Sequence, residues 1–453
     1  MERHRLFRDS DIRSGKRKVL LWLFRDFRLV DNWAVSFAQR NFRSKNIEVW
    51  VFPDYFSDNT IGNRRSDFIR RGMMLFEKEC RQHSIQLRLV FLNDPPSDLT
   101  GVEAVVIDFS PLKEYSSFIN NLLDRYKDLP PVYQVDSHNI IPCWSVGQLV
   151  HNASSMRRKM DGWRSLALPP KVRKGTASVK NVDWNMFFLP CRNNFNMITY
   201  PIVSYPHEVL NMNPHSVLDR FINKRLSKYS DLRNDPNAEV LSGLSPWINL
   251  GLISTQRIAV TVAAYKNSES FVEELVVRRE LAENFCYYSE KGYRSIDCAP
   301  GWAQRTLNKH AKDRRDFVYS MHELQFALTH DSLWNAAQVE MVVSGKMHCY
   351  MRMYWAKKIL EWTPDPATAL EYAIELNDMY SMDGEDPNGY VGCLWSICGV
   401  HDRPWKERPV FGTVRYMNRA GCERKFDVGK YIQRAQFLVS FVQEYSWVPI
   451  LNK

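Results

Sequence analysis

Several familiar signatures are missing from this chain. Its nine cysteines (Cys80, Cys143, Cys191, Cys286, Cys298, Cys349, Cys393, Cys398 and Cys422) are scattered, odd in number and never spaced as CxxC. That argues against a disulfide framework and a cysteine zinc site, and for a reducing intracellular compartment. HExxH, GxGxxG and the P-loop are absent, which removes the simplest metal and nucleotide readings; no metal site is expected. No apolar run approaches the length of a membrane span. The start, "MERHRLFRDSDIRSGKRK", lacks the apolar segment of a signal peptide. Residues 1–17 read as a disordered basic tail, in which "GKRK" is a nuclear address or, more commonly, a solvated run. Internal repeats and low-complexity tracts are also missing.

What remains is the profile of a soluble, multi-domain protein. The 453 residues are 45% hydrophobic and 25% charged, enough for two or three domains. Lysine and arginine number 61 against 51 acids, a net +10; the excess permits a polyanionic partner. Fourteen tryptophans beside that charge suit base stacking, although most must be core.

Residues 18–145 alternate strand-like runs ("KVLLWLF", "IEVWVF", "IQLRLVF", "EAVVID", "PVYQVD") with helical patterns ("NWAVSFAQRNF", "RRSDFIRRGMMLFEKECRQ", "SSFINNLLDRYKD"). This predicts an α/β N-terminal domain with a parallel, doubly wound sheet. Arg25, Asp26, Asp108, Asp136 and His138 follow strand ends, where such sheets bind ligands; taken singly, each reads better as a loop cap. Residues 166–215, rich in Pro and Asn, read as a long interdomain connection. From about 216 the strand signals fade and helical patterns take over. The expected division is therefore 1–17 tail, 18–165 α/β domain, 166–215 linker and 216–453 all-α domain.

Within the helical half, "LSGLSPW" places Ser245 before Pro246, a helix start with Ser245 as N-cap. The Ser242 and Ser245 hydroxyls there suit a phosphate. Glu274 and Arg278 stand at i, i+4, the spacing of an ordinary exposed ion pair. Met382–Trp405, dense in Asp, Gly, Asn and Trp, reads as a long binding loop. In "MRMYWAKKILEW", Trp355 and Trp362 are two turns apart on one helix face, about 10 Å along the axis; packing is the plain explanation.

These segments also carry a resemblance. "LFRDFRLVDNWA", "VDSHNIIPCW", "LRNDP…LSGLSP", "ELAENFCYY", "THDSLWNAAQVEMVVSGKMHCYMRMYWAKKILEW", "LNDMYSMDGEDPNGYVGCLWSICGVHDRPW" and "RYMNRAGCERKFDVGKYI" resemble the motifs of class II cyclobutane pyrimidine dimer DNA photolyases, in family order, from about residue 18 to 433. The resemblance implies a helical domain that binds FAD, active when reduced, and light-driven repair of dimers in UV-damaged DNA, duplex or single-stranded. It leaves room for a second, antenna chromophore of unassigned identity. The expected molecule is a monomer, intracellular and not membrane-bound. The competing reading is a cryptochrome-like photoreceptor without repair activity. The chain's end soon after "FDVGKYIQRAQFLVSFVQEYSWVPILNK" is expected to leave out the long tail such receptors often use.

Position by position, the resemblance implies an FAD phosphate site at Tyr229 and Leu241, Ser242, Gly243, Leu244 and Ser245. It implies an Arg352–Asp383 ion pair beside the flavin and Asn377 facing flavin N5. Glu274 would contact the dimer, and Met353 and Trp395 would wall its pocket, with Arg233 and Arg278 nearby. Trp355, Trp334 and Trp362 resemble an electron relay: Trp334 bridges the other two, and Trp362 lies near solvent. Arg403 and Trp405 would enter the space left by a flipped dimer, while Arg415 and Lys425 hold phosphates. Departures from the family pattern are Arg278 where some members have Trp, "WINLGLIS" for the commoner "YLHFGQIS", Cys349 where Gly is common, and the added acid Glu385.

Overall fold

The computed structural model describes residues 2–10, 18–42, 46–56, 63–96, 99–126, 128–184 and 213–440. Six strands form one sheet: β1 (His4–Arg8), β2 (Lys18–Leu23), β3 (Ile47–Val51), β4 (Gln86–Leu89), β5 (Val102–Ile107) and β6 (Val132–Val135). Their spatial order is β1-β6-β5-β2-β3-β4. β2 to β6 are mutually parallel wherever they pair. Val19, Leu21 and Leu23 of β2 enter one apolar cluster, and Leu20 and Trp22 enter another. A strand buried on both faces reads as a continuous apolar run, which is why "KVLLWL" is legible as a parallel strand. Helices Trp33–Asn41 and Asn63–Gln82 cover the first face, and helix Lys113–Leu123 covers the second.

The expected disordered tail needs correction. His4–Arg8 is a strand, antiparallel to β6, so the sheet is mixed. Arg8 is exposed, with Asp124 at 3.2 Å, whereas Arg5 is held. Arg5 donates to Gln134 Oε1 (2.9 Å) and to the Tyr287 hydroxyl (2.8 Å), and its guanidinium lies 4.8 Å from the Trp144 ring centre. Residues 11–17 lie outside the described residues; of "GKRK" only Lys18 is described, as the first residue of β2, donating to Glu48 at 2.9 Å.

The polar residues at the strand ends are caps and domain joints. Asp108 Oδ2 accepts the backbone N–H groups of Phe24, Arg25 and Asp26 at 2.8–2.9 Å. Asp136 accepts from the backbone of His138, Asn139 and Cys143. Arg25 donates to Glu283 Oε2 at 2.9 Å, tying the sheet to helix Arg279–Tyr288. Burial works to raise the Glu283 carboxyl, but Arg25 opposite it holds it at about 2.

Between 166 and 184 the chain forms no helix or strand, and the rest of the expected linker up to 212 lies outside the described residues. After Val135 the described residues contain no further strand, only an isolated bridge between Arg408 and Gly412. Helices Ser332–Ser344, Cys349–Glu361, Pro366–Tyr380, Pro387–Cys398 and Val428–Ser440 share an apolar core. None of the described helices is long and apolar enough to cross a membrane.

Met382–Trp405, expected as one long loop, contains the helix Pro387–Cys398. Asp386 caps it by accepting from Asn388 N, Pro387 opens it, and Gly399 closes it at φ +66°. Those are strong start and stop signals; the Gly and Asn content inside the helix concealed them.

Candidate cofactor and nucleic-acid site

Two helices and a turn bring the deep part of the site together. Helix Cys349–Glu361 presents Arg352, helix Pro366–Tyr380 presents Asn377, and the turn after the latter presents Asp383. Arg352 donates to Asn377 Oδ1 at 2.9 Å, and the Asn377 amide donates to Asp378 Oδ1 at 3.0 Å. Asn377 is fully buried. Its place depends on Gly389: a Cβ there would stand 2.8 Å from Asn377 Nδ2.

The expected Arg352–Asp383 pair is loose, at 3.9 Å. The main partner of Asp383 is Lys346, which sequence reasoning missed. Lys346 donates both to Asp383 Oδ2 and to the Ser245 hydroxyl. Burial raises the Asp383 carboxyl, but Lys346 and then Arg352 outweigh it and hold the group well below the usual carboxylate range. Asp383 Oδ1 is buried with no hydrogen-bond partner, an acceptor left for a bound group. The glycine–lysine pair at 345–346, just before "MH", was the available signal.

Ser245 is not the N-cap expected. The helix runs Ser245–Asn249 and follows Leu244, with no side-chain cap; the Ser245 hydroxyl is turned to Lys346 instead. Ser242 accepts from Leu244 N at 3.3 Å. Gly243 has φ +71°, a conformation that favours glycine. Tyr229 is buried against Phe221 and Phe271, and Leu241 is half-buried beside it in the same cluster.

Glu273–Arg278 is a π-helical turn, so the expected Glu274–Arg278 pairing at i, i+4 does not form. Glu274 accepts from Arg233 at 2.7 Å, and Arg278 faces Glu273 at 3.7 Å. Such insertions are common at functional sites because they re-aim side chains. Met353 and Trp395 are half-buried.

The three expected relay indoles lie in contact. Trp355 and Trp334 stack with ring centres 6.4 Å apart at 7°; Trp334 and Trp362 meet edge-on at 5.8 Å. Trp334 Nε1 donates to the Trp355 carbonyl (3.0 Å), and Trp355 Nε1 donates to Gln338 Oε1 (2.8 Å). Trp362, expected near solvent, is itself 2% exposed and lies beneath Tyr319, Lys358 and the exposed His330.

At the outer edge, Trp405 is 41% exposed and Arg403 lies over its ring at 5.4 Å. Arg415, expected to hold phosphate, is half-buried and ion-paired. It donates to Asp402 Oδ2 at 3.0 Å, and its guanidinium lies 4.3 Å from the Trp405 ring and 5.2 Å from that of Trp395. Lys425 is exposed.

A buried amide, a carboxylate oxygen without a hydrogen bond, a hydroxyl held by a lysine and a chain of indoles fit a redox cofactor at the head of an electron path. The fold agrees. The structure matches a cryptochrome from Synechocystis (TM-score 0.66, 15% identity, 97% of this chain and 90% of that one). It also matches a class III photolyase from Agrobacterium tumefaciens (TM-score 0.63, 16% identity, 96% and 100%). This is the photolyase–cryptochrome architecture. A family model described as DNA photolyase matches residues 19–172. The chain is 40% identical to the deoxyribodipyrimidine photo-lyase of Potorous tridactylus over 448 residues, 93% of this chain and 82% of that protein. It is also 40% identical to that of Arabidopsis thaliana over 454 residues, 94% and 90%. The chain belongs to the DNA photolyase family.

Proposed function

We infer that this chain repairs cyclobutane pyrimidine dimers in DNA, in duplex or single strands, by light-driven electron transfer from reduced FAD. The observation that carries the reading is the contact chain Trp362–Trp334–Trp355, whose Trp355 lies on the helix that also supplies Arg352 to Asn377. When bound, reduced FAD supplies the photo-excited electron that opens the cyclobutane ring and takes it back afterwards.

The residues bind, orient and tune. Lys346, Ser242, Ser245 and the turn at Gly243 hold the pyrophosphate side. Asp383 and Asn377, the latter held by Arg352, would hold the flavin ring when the cofactor is bound. The three indoles refill the cofactor with electrons under light. Glu274, carried by the π-turn, faces the dimer and stabilises negative charge that develops on it. Met353 and Trp395 wall the dimer pocket, with Arg233 and Arg278 at its rim. Arg403 and Trp405 fill the gap in the duplex, offsetting the few kcal/mol that flipping costs. Lys425 contacts phosphate, which adds affinity without sequence preference. A monomer within the cell suffices for all of this, and a second, antenna chromophore is compatible with the fold.

The test is light-dependent restoration of dimer-containing DNA by purified, flavin-loaded protein. Flavin photoreduction without restoration would favour the photoreceptor reading.

A further inference from the structure

Lys357 has no role in the chemistry above, yet it is wholly buried. It sits one turn after Met353 on helix Cys349–Glu361, and its ammonium donates to the Ser396 carbonyl at 2.6 Å. It also lies 5.3 Å from the centre of the Trp395 ring. Arg415 lies over the same ring at 5.2 Å and over Trp405 at 4.3 Å, and Arg403 lies over Trp405 at 5.4 Å. Lys357, Trp395, Arg415, Trp405 and Arg403 therefore alternate cation and indole, from the fully buried interior to the exposed edge. Every step is within reach of a cation–π contact. Asp402, buried except for 8% of its side chain, anchors the middle: it accepts from Arg415 and from Arg403 N.

We propose that Lys357 is a positioning residue for dimer capture: it fixes Trp395 as the inner end of this ladder, in register with Trp405 at the outer end. The proposal rests on the reading of Trp395 as pocket wall and Trp405 as the group that enters the duplex. A ladder of this kind lets insertion of Trp405 be felt at the pocket wall, because Arg415 is shared by the Trp395 and Trp405 rings. The inner end is also the soft one. Burial lowers the Lys357 ammonium to about 7; Asp402 opposes this and Arg415 adds to it. The titratable and charged groups facing it are Asp402, Arg415 and Cys398, and burial pushes the Cys398 thiol up, out of the neutral range. Loss of the Lys357 proton removes the inner cation–ring contact.

The experiment compares wild type with Lys357→Met, a substitution that keeps the stem's bulk. Affinity is measured for duplex with and without a single dimer from pH 6 to 9, and repair yield per photon is measured at saturating DNA. Wild type should lose roughly three- to tenfold of its preference for the dimer as pH rises, the range expected for a partly desolvated cation–ring contact. Lys357→Met should match wild type at pH 9 and stay flat, with flavin content and yield unchanged. A preference that does not change with pH in wild type overturns the proposal. So does a Lys357→Met deficit of equal size at every pH, or one accompanied by a lower yield, since either marks general structural damage. If the variant does not fold, the wild-type profile still decides. Failure of the underlying reading looks different: wild type itself would show no preference for the dimer, or no repair.

Discussion

Two groups of tryptophans lie within one helical half and are built in opposite ways. Trp355, Trp334 and Trp362 are 0–2% exposed, in direct ring contact and pinned by neutral hydrogen bonds to a carbonyl and an amide. Lys358 lies 5.5 Å from the Trp362 ring centre and is paired with Glu361 at 2.6 Å. Trp395 and Trp405 are half-buried and exposed, and are interleaved with Lys357, Arg415 and Arg403. A cation over an indole opposes the loss of an electron from it, the more so where water is scarce. The first group is thus suited to carry positive charge. The second is suited to keep its electrons and offer flat surfaces to bases. The same residue type is sorted into conductor and platform by the charges packed on it.

The largest effect comes from cutting the first group. Trp334→Phe should slow photoreduction of bound oxidised FAD by on the order of a hundredfold, since the gap between Trp355 and Trp362 returns to about 10 Å. Chemically reduced protein should repair at its usual yield. Transient absorption checks this, and normal photoreduction would break the contrast between the groups.

Cutting the second group should leave photoreduction alone and strike binding. Trp405→Ala and Arg403→Ala should each cost about 1–3 kcal/mol of affinity for a dimer in duplex, the range for one lost stacking surface. A dimer in a single strand leaves no gap to fill, so its affinity should fall far less. Titrations on both substrates decide; equal losses would reduce the platform to a fold or phosphate role.

Between the groups stands Glu274. Glu274→Ala should leave FAD bound and dimer affinity largely intact but lower repair per photon, roughly twofold or more, because a partner for developing charge is lost. It also frees Arg233, so Arg233→Ala is the needed companion. If Arg233→Ala alone gives the same fall in yield, the effect belongs to the pair's geometry rather than to Glu274's contact.

How much of this was legible in the sequence follows from which physical rule each feature obeys. β2 was legible because both of its faces are buried and it reads as an unbroken apolar run after Lys18. Trp355 and Trp362 were legible as a pair because seven residues make two turns. Trp334 came from another helix, so only the motif resemblance could join it to them. The Glu274 partner was misread because i, i+4 pairing assumes an α-helix, and nothing in "EELVVR" announces a π-turn. Lys346 was missed because its partners, Ser245 and Asp383, are remote in sequence. The β1 strand was missed because Arg5 looks solvated until Gln134, Tyr287 and Trp144 are placed beside it.

The smallest predicted effect tests how tightly the deep side is built, using two glycines three residues apart on helix Pro387–Cys398. A methyl at Gly389 would stand 2.8 Å from Asn377 Nδ2, while one at Gly392 would have nothing within 4 Å. Neither glycine has a positive φ, so backbone conformation does not separate them and space does. Gly392→Ala should stabilise the protein by up to about 1 kcal/mol, through lower chain entropy in the unfolded state and better helix propensity. Gly389→Ala gains the same propensity but must displace a buried amide held by Arg352 and Asp378. Overpacking of that kind costs about 1–3 kcal/mol, so the net change should be a loss of roughly 0–2 kcal/mol. Thermal unfolding of the two variants measures the difference in sign. The rate at which reduced flavin is reoxidised in air should rise in Gly389→Ala and stay unchanged in Gly392→Ala, since only the first moves Asn377. Two stable variants with identical reoxidation would mean that Asn377 accommodates the methyl without shifting, and that the deep site is no more rigid than the platform.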